Sequence, residues 1–158
     1  MGTCSPCRDC IRGVTEPAHN RAVMVDTSVL LAWLDDSDSQ HLRANQIRDR
    51  IWRVAVTAEP VLTEVHHFIV KRLTPSHWSA VVSKVRDGSL TVVSFVAIAD
   101  MLRAAELINA YSDRPLDYAD ASLVVAAERL NAPRVAYFDA DFRFVRPAHV
   151  EYFDVVQA

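Results

Sequence analysis

Cysteine is confined to the first ten residues, as Cys4, Cys7 and Cys10. Residues 21–158 carry none, which excludes a disulfide framework from the body of the chain and suits a cytoplasmic protein. Long hydrophobic runs are missing too: none approaches the roughly 18 residues of a membrane span, so no membrane association is expected. There is no basic excess. Fifteen Arg and two Lys stand against 20 acids, for a net charge of −3, which is no global signature of nucleic-acid binding. A local arginine surface can still coexist with an acidic pocket. Beyond residue 21 there is no internal repeat, low-complexity tract or linker. What is present, 158 residues with 51% apolar and 23% charged, reads as one folded globular domain. Such a chain buries about two-thirds of its unfolded surface and needs no staples.

The CxxCxxC of "MGTCSPCRDC" has a spacing at which thiolates can share one metal or iron–sulfur centre. Three thiolates leave a four-coordinate site open, however, and His19 is the only nearby fourth candidate. No strand or helix pattern frames the segment, and it lacks the apolar stretch of a secretory signal. Residues 1–21 are therefore expected to be an extension outside the domain, either disordered or upstream of a translation start at or near Met24. The domain is expected over 22–158.

Along that domain, strand patterns alternate with helical ones. Strands are expected at 22–26 ("AVMVD"), 53–57 ("RVAVT"), 90–95 ("LTVVSF"), 134–138 ("RVAYF") and 150–156 ("VEYFDVV"). Between them, 28–35 forms a short apolar helix. Ser37 opens a second helix with Gln40 as its capping-box partner. Pro60 fits the first turn of a helix to about Leu73. Thr74-Pro75 restarts a helix that ends near Gly88. Residues 97–111 are helical with Met101, Ala105 and Ile108 on one stripe, 112–115 is a loop, and 117–131 is an Ala- and Val-rich helix. This alternation predicts an α/β fold: a mainly parallel sheet of about five strands, covered by helices on both faces.

Open parallel sheets bind ligands at the carboxyl ends of their strands, and acids stand there. Asp26 closes the first strand, and Asp139 and Asp141 follow the fourth in "YFDADF". In a doubly wound order that starts centrally, those two strand ends are neighbours. On the 60–73 helix, a turn of about 100° per residue puts Glu64 in or at the edge of the apolar stripe of Val61, Val65 and Phe68. On the 117–131 helix, Asp120 falls between Val124 and Ala127. A core-facing carboxylate is expensive unless it is paired, protonated or bound to a metal. Each acid also has an ordinary reading. Asp26 and Asp117 sit where helix caps belong, Glu64 could reach solvent, and Asp139 and Asp141 could be turn residues. For Asp117 the cap is the better reading. All those readings must hold together, with the acids converging on one edge by accident.

Four carboxylates from separate segments, with no buried Lys in view, point to a cation. Oxygen-only donors select Mg²⁺ or Mn²⁺ rather than zinc. The histidines do not supply an alternative, since the adjacent His66 and His67 point about 100° apart on a helix. Mg²⁺ held by few carboxylates leads to phosphodiester chemistry.

At this point the chain resembles the PIN-domain family, and within it the VapC-type toxin ribonucleases of type II toxin–antitoxin systems. The resemblance rests on "VDTSVLLAWL" (25–34), "VLTEVHHFI" (61–69), "LDYADASLVVAAERLNA" (116–132) and "VAYFDADF" (135–142), in family order over about 22–156. It implies a three-layer α/β sandwich and an acidic quartet of Asp26, Glu64, Asp120 and Asp139 that holds Mg²⁺ or Mn²⁺. Ser28 matches the hydroxyl that supports the metal–water network, and Asp117 and Asp141 match supporting positions. It further implies an endoribonuclease leaving a 5′-phosphate and a 3′-hydroxyl, an RNA substrate, a homodimer and a cognate antitoxin that blocks the site. Where the family has Thr or Ser two residues before the fourth acid, this chain has Tyr137, so the fourth acid stays open between Asp139 and Asp141.

Three other readings compete. A haloacid dehalogenase-type phosphatase needs a second Asp two residues after the first, where this chain has Ser28. A phospho-acceptor receiver needs a Lys after a late strand, and Lys71 and Lys84 fall in earlier helices. A catalytically inactive PIN scaffold that binds RNA or a partner keeps the same fold without the chemistry.

Overall fold

Five short strands form one parallel sheet: β1 (Val23–Val25), β2 (Ala55–Ala58), β3 (Leu90–Val93), β4 (Arg134–Ala136) and β5 (Asp154–Val155), in the order β3-β2-β1-β4-β5. The computed structural model describes residues 21–114, 116–138 and 140–158. Cys4, Cys7, Cys10 and His19 lie outside the described residues, as do Asp139 and the side chain of Asp141. β1 is central and fully buried, which is why its sequence is apolar without alternation. Val23 and Met24 pair with Ala55 and Val56 on one side, and Val23 to Val25 pair with Arg134 to Ala136 on the other.

From β1 the chain winds outward. Helices α1 (Thr27–Leu34) and α2 (His41–Ile51) lead to β2, then α3 (Glu59–Arg72) and α4 (Pro75–Arg86) lead to β3. Helices α5 (Ile98–Ala110) and α6 (Tyr118–Leu130) carry it back past β1 to β4. Parallel crossovers are right-handed as a rule, so an outward run followed by a return sets its helices on opposite faces of a sheet. The reversal of direction falls between β1 and β4, where a doubly wound sheet opens its ligand crevice.

Local chemistry explains most boundaries. Thr74 and Pro75 start α4, and the Thr74 N–H donates to His77 Nδ1. Gly88 follows the helix at φ +77°, a conformation that L side chains rarely adopt. Asn131 ends α6 in the left-handed region.

Three expectations are corrected. The Ser37–Gln40 capping box does not form. The Ser37 N–H and hydroxyl both donate to Asp35 Oδ1, and the Gln40 N–H donates to Asp38 Oδ1, so two local turns occupy 35–40 and α2 begins at His41. The inner face of α5 is Asp100, Ala104 and Leu107, with Met101 44% exposed, not the stripe through Met101, Ala105 and Ile108. Asp100 can be buried because Arg129 Nη1 donates to its Oδ2 at 2.7 Å and also to the Ser94 carbonyl. The last strand is two residues long, not seven. No helix among the described residues is long and apolar enough to cross a membrane.

Candidate active site at the carboxyl edge of the sheet

Asp26 is the residue at which β1 becomes α1. Its backbone is extended (φ −80°, ψ 162°), and its N–H donates to the Ala136 carbonyl at 3.1 Å, which pins it beside the end of β4. Its carboxylate does cap α1: Oδ2 accepts from the Ser28 N–H at 3.0 Å and from the Ser28 hydroxyl at 2.5 Å. Yet Asp26 is only 4% exposed, whereas an ordinary cap meets water. The Ser28 Oγ in turn accepts from the Phe138 N–H at 3.0 Å. One hydroxyl thus ties the first acid to the segment that leaves β4 toward 139.

Glu64 stands on α3, at the edge of a core face made by Val61, Val65 and Ile69. The Thr27 hydroxyl donates to Glu64 Oε2 at 2.6 Å, a charge-assisted bond across 37 residues. Thr27 is 7% exposed and was not singled out from the sequence. The signal for it in the sequence is the pair of consecutive hydroxyls, Thr27 and Ser28, after a strand-end acid. Thr57 was missed as well: its hydroxyl donates to the Val25 carbonyl at 2.9 Å and locks β2 to β1 one residue before Asp26. Nothing local in the sequence marks that cross-strand tie.

Asp117 is the N-cap of α6, and its Oδ1 accepts from the Asp120 N–H at 2.8 Å. Asp120 follows within the first turn of α6. Asp26, Glu64, Asp117 and Asp120 all line one cleft of about 260 Å³, with Thr27, Ser28, Phe68, Arg72 and Phe142 around them. The structure therefore brings together three members of the sequence-derived quartet and two supporting residues.

The donors facing this cleft are carboxylates and hydroxyls, a set that suits a hard cation. Among the described residues, no group of three His, Cys, Asp or Glu is arranged to hold one ion. A cation that keeps several waters and takes few carboxylates, as Mg²⁺ does, is compatible with such an arrangement.

Residues 23–146, which include every described acid of the cleft, match the family model for the PIN domain. The chain belongs to the PIN domain family. A curated protein similar to it is Ribonuclease VapC26 of Mycobacterium tuberculosis, 26% identical over 135 residues that make up 85% of this chain and 99% of the relative. Among solved structures, VapC20 of the same organism, described as a sarcin–ricin loop cleaving toxin, matches with a TM-score of 0.73 at 21% identity. That match covers 82% of this chain and 99% of the neighbour, and it shows that this PIN domain has the same fold.

Proposed function

We propose that this PIN domain is an Mg²⁺- or Mn²⁺-dependent endoribonuclease, the toxin of a type II toxin–antitoxin pair in the cytoplasm. The observation that carries the reading is the convergence of Asp26, Glu64 and Asp120, from three segments far apart in sequence, on one cleft at the carboxyl edge of the sheet. Similarity to a protein named a ribonuclease, over nearly its whole length, supports the same reading.

In this reading Asp26, Glu64 and Asp120 hold the cation with Asp139 as fourth acid, or Asp141 in its place. Bound there, the cation supplies an activated water and offsets the charge that builds on the scissile phosphate. The chain's own residues set the geometry. Ser28 fixes the rotamer of Asp26 and the direction of the chain after β4. Thr27 holds the Glu64 carboxylate toward the cleft. Asp117 stiffens the first turn of α6, so that Asp120 is presented from a fixed backbone. The partners that go with this function are an RNA substrate, a second copy of the chain and an antitoxin that covers the cleft.

The test is cleavage of total RNA by the purified protein in Mg²⁺, in Mn²⁺ and in EDTA, beside Asp26→Asn. Discrete cuts that need the metal and vanish in the variant are expected. Metal-independent cutting, or equal cutting by the variant, contradicts the mechanism. Absence of both cutting and metal binding leaves a PIN scaffold without chemistry.

A further inference from the structure

The cleft poses an electrostatic problem. It is lined by acids, in a chain of net charge −3, yet its proposed substrate is a polyanion. Most arginines with a described partner are committed elsewhere. Arg103 binds Glu128 and Glu106, Arg129 binds Asp100, Arg48 binds Asp49, and Arg50 and Arg134 donate to backbone carbonyls. Four others lie over aromatic rings: Arg114 over Phe144 at 3.9 Å, Arg146 over Tyr152 at 3.4 Å, and Arg72 and Arg43. Place sets the last two apart, since Arg72 and Phe68 line the cleft and the Phe138 N–H is bound to Ser28. Both arginines are exposed, neither makes an ion pair among the described residues, and each guanidinium lies 5.3 Å from the centroid of a phenylalanine ring, Arg72 over Phe68 and Arg43 over Phe138.

Their positions frame the cleft. Arg72 and Phe68 both line it. The Phe138 N–H is bound to Ser28 Oγ, one bond from Asp26. Phe68 lies on α3, which follows β2, and Phe138 follows β4; these are the two strands that flank β1. An arginine–aromatic pair therefore stands on each side of the residue that ends the central strand.

We propose that Arg72–Phe68 and Arg43–Phe138 are two grips for unpaired nucleotides on either side of the scissile phosphate, the inference resting on the ribonuclease reading above. A guanidinium within cation–π reach of a ring keeps N–H groups for a phosphate, and the ring beside it offers a face to a nucleobase. Unstacked bases of single-stranded RNA can use that face, whereas bases within a duplex cannot. The four are positioning residues: they set which nucleotides lie over the acids.

The test is binding of a fluorescein-labelled, mixed-sequence single-stranded oligoribonucleotide, and of its duplex, on an Asp26→Asn background so that the probe survives. Affinity is followed against salt concentration. Arg72→Gln and Arg43→Gln should each weaken single-strand binding about tenfold and lower the log–log salt slope by about 0.7, the share of one phosphate contact to a single strand. Phe68→Leu and Phe138→Leu should weaken binding with the slope unchanged, as loss of base stacking alone does, and Phe68→Tyr and Phe138→Tyr should restore it. Thermal unfolding of each variant identifies any that fails to fold, and Arg72→Lys, retaining the charge, should retain the slope. Wild-type affinity and slope in both Gln variants, equal binding of the duplex, or no binding of the single strand by the parent protein would overturn the proposal. RNA cutting lost in Asp26→Asn but unchanged in the four variants retires the grips and leaves the nuclease standing.

Discussion

Replacing Asp26 by Asn separates a helix cap from a charged site. Asn is as good an N-cap as Asp, so the geometry at the start of α1 should survive with Oδ still accepting from the Ser28 N–H and hydroxyl. Those two bonds lose their charge assistance, at a cost of about 1 kcal/mol. Removing one of several carboxylates that share the cleft relieves repulsion of similar order, a few kcal/mol at most at an effective dielectric near 20. The terms oppose, so stability should change by no more than about 1 kcal/mol, or roughly 2–4 °C in Tm. RNA cleavage, in contrast, should fall at least about a hundredfold. Asp26→Ala provides the contrast, since it loses the cap as well and about 1 kcal/mol with it. Differential scanning fluorimetry with Mn²⁺ completes the assay. Ligand at a hundred times its Kd adds about 2.7 kcal/mol to the wild type and should add far less to Asp26→Asn. If Asn cuts RNA at the wild-type rate and keeps the Mn²⁺ shift, Asp26 is a cap and nothing more. If it unfolds many degrees early, the charge-assisted cap outweighs the repulsion among the carboxylates.

Other sites make equally definite claims. Thr27→Val removes the 2.6 Å bond to Glu64 and should lower stability by about 1–2 kcal/mol and cleavage about tenfold, read by urea unfolding and initial rates; unchanged rates would show that Glu64 holds its place unaided. Asp100→Ala strips Arg129 of its buried partner and should lower Tm by about 3–6 °C with cleavage unaffected, the arginine being exposed enough for water to take over part of the role. Glu128 provides a pH test. Burial pushes its carboxyl up, but the Arg103 guanidinium and the Ala148 N–H outweigh that and hold it below the usual carboxylate range. Its contribution is therefore present above the unfolded value of about 4.3 and disappears as pH falls below it, so the stability gap between wild type and Glu128→Gln should close between about pH 5 and pH 3. A gap that stays constant across that range would refute the assignment.

The sequence by itself determined the order and type of the main elements, because short apolar runs bounded by turn residues fit doubly covered strands and longer periodic runs fit helices. Periodicity also pointed to Asp26 at a strand end and to Glu64 at the edge of an apolar helix stripe, and both stand there, Asp26 buried and Glu64 half-buried. Asp117 was legible as a cap for the same reason, and its bond to the Asp120 N–H bears that out. Tertiary structure decided the rest. Asp100 lies on the buried face of α5, against any hydrophobic count, because Arg129 arrives from α6, 29 residues away, to neutralise it. The expected cap at Ser37 gave way to Asp35 and Asp38, since side-chain acceptors two residues back compete for the same N–H groups. The bonds from Thr27 to Glu64 and from Thr57 to Val25 span 37 and 32 residues, distances over which no local pattern in a sequence can speak. The placement of Arg43 over Phe138 and of Arg72 over Phe68 is likewise a property of packed surfaces. Periodicity reports which face a residue takes; only the closed fold reports what it meets there.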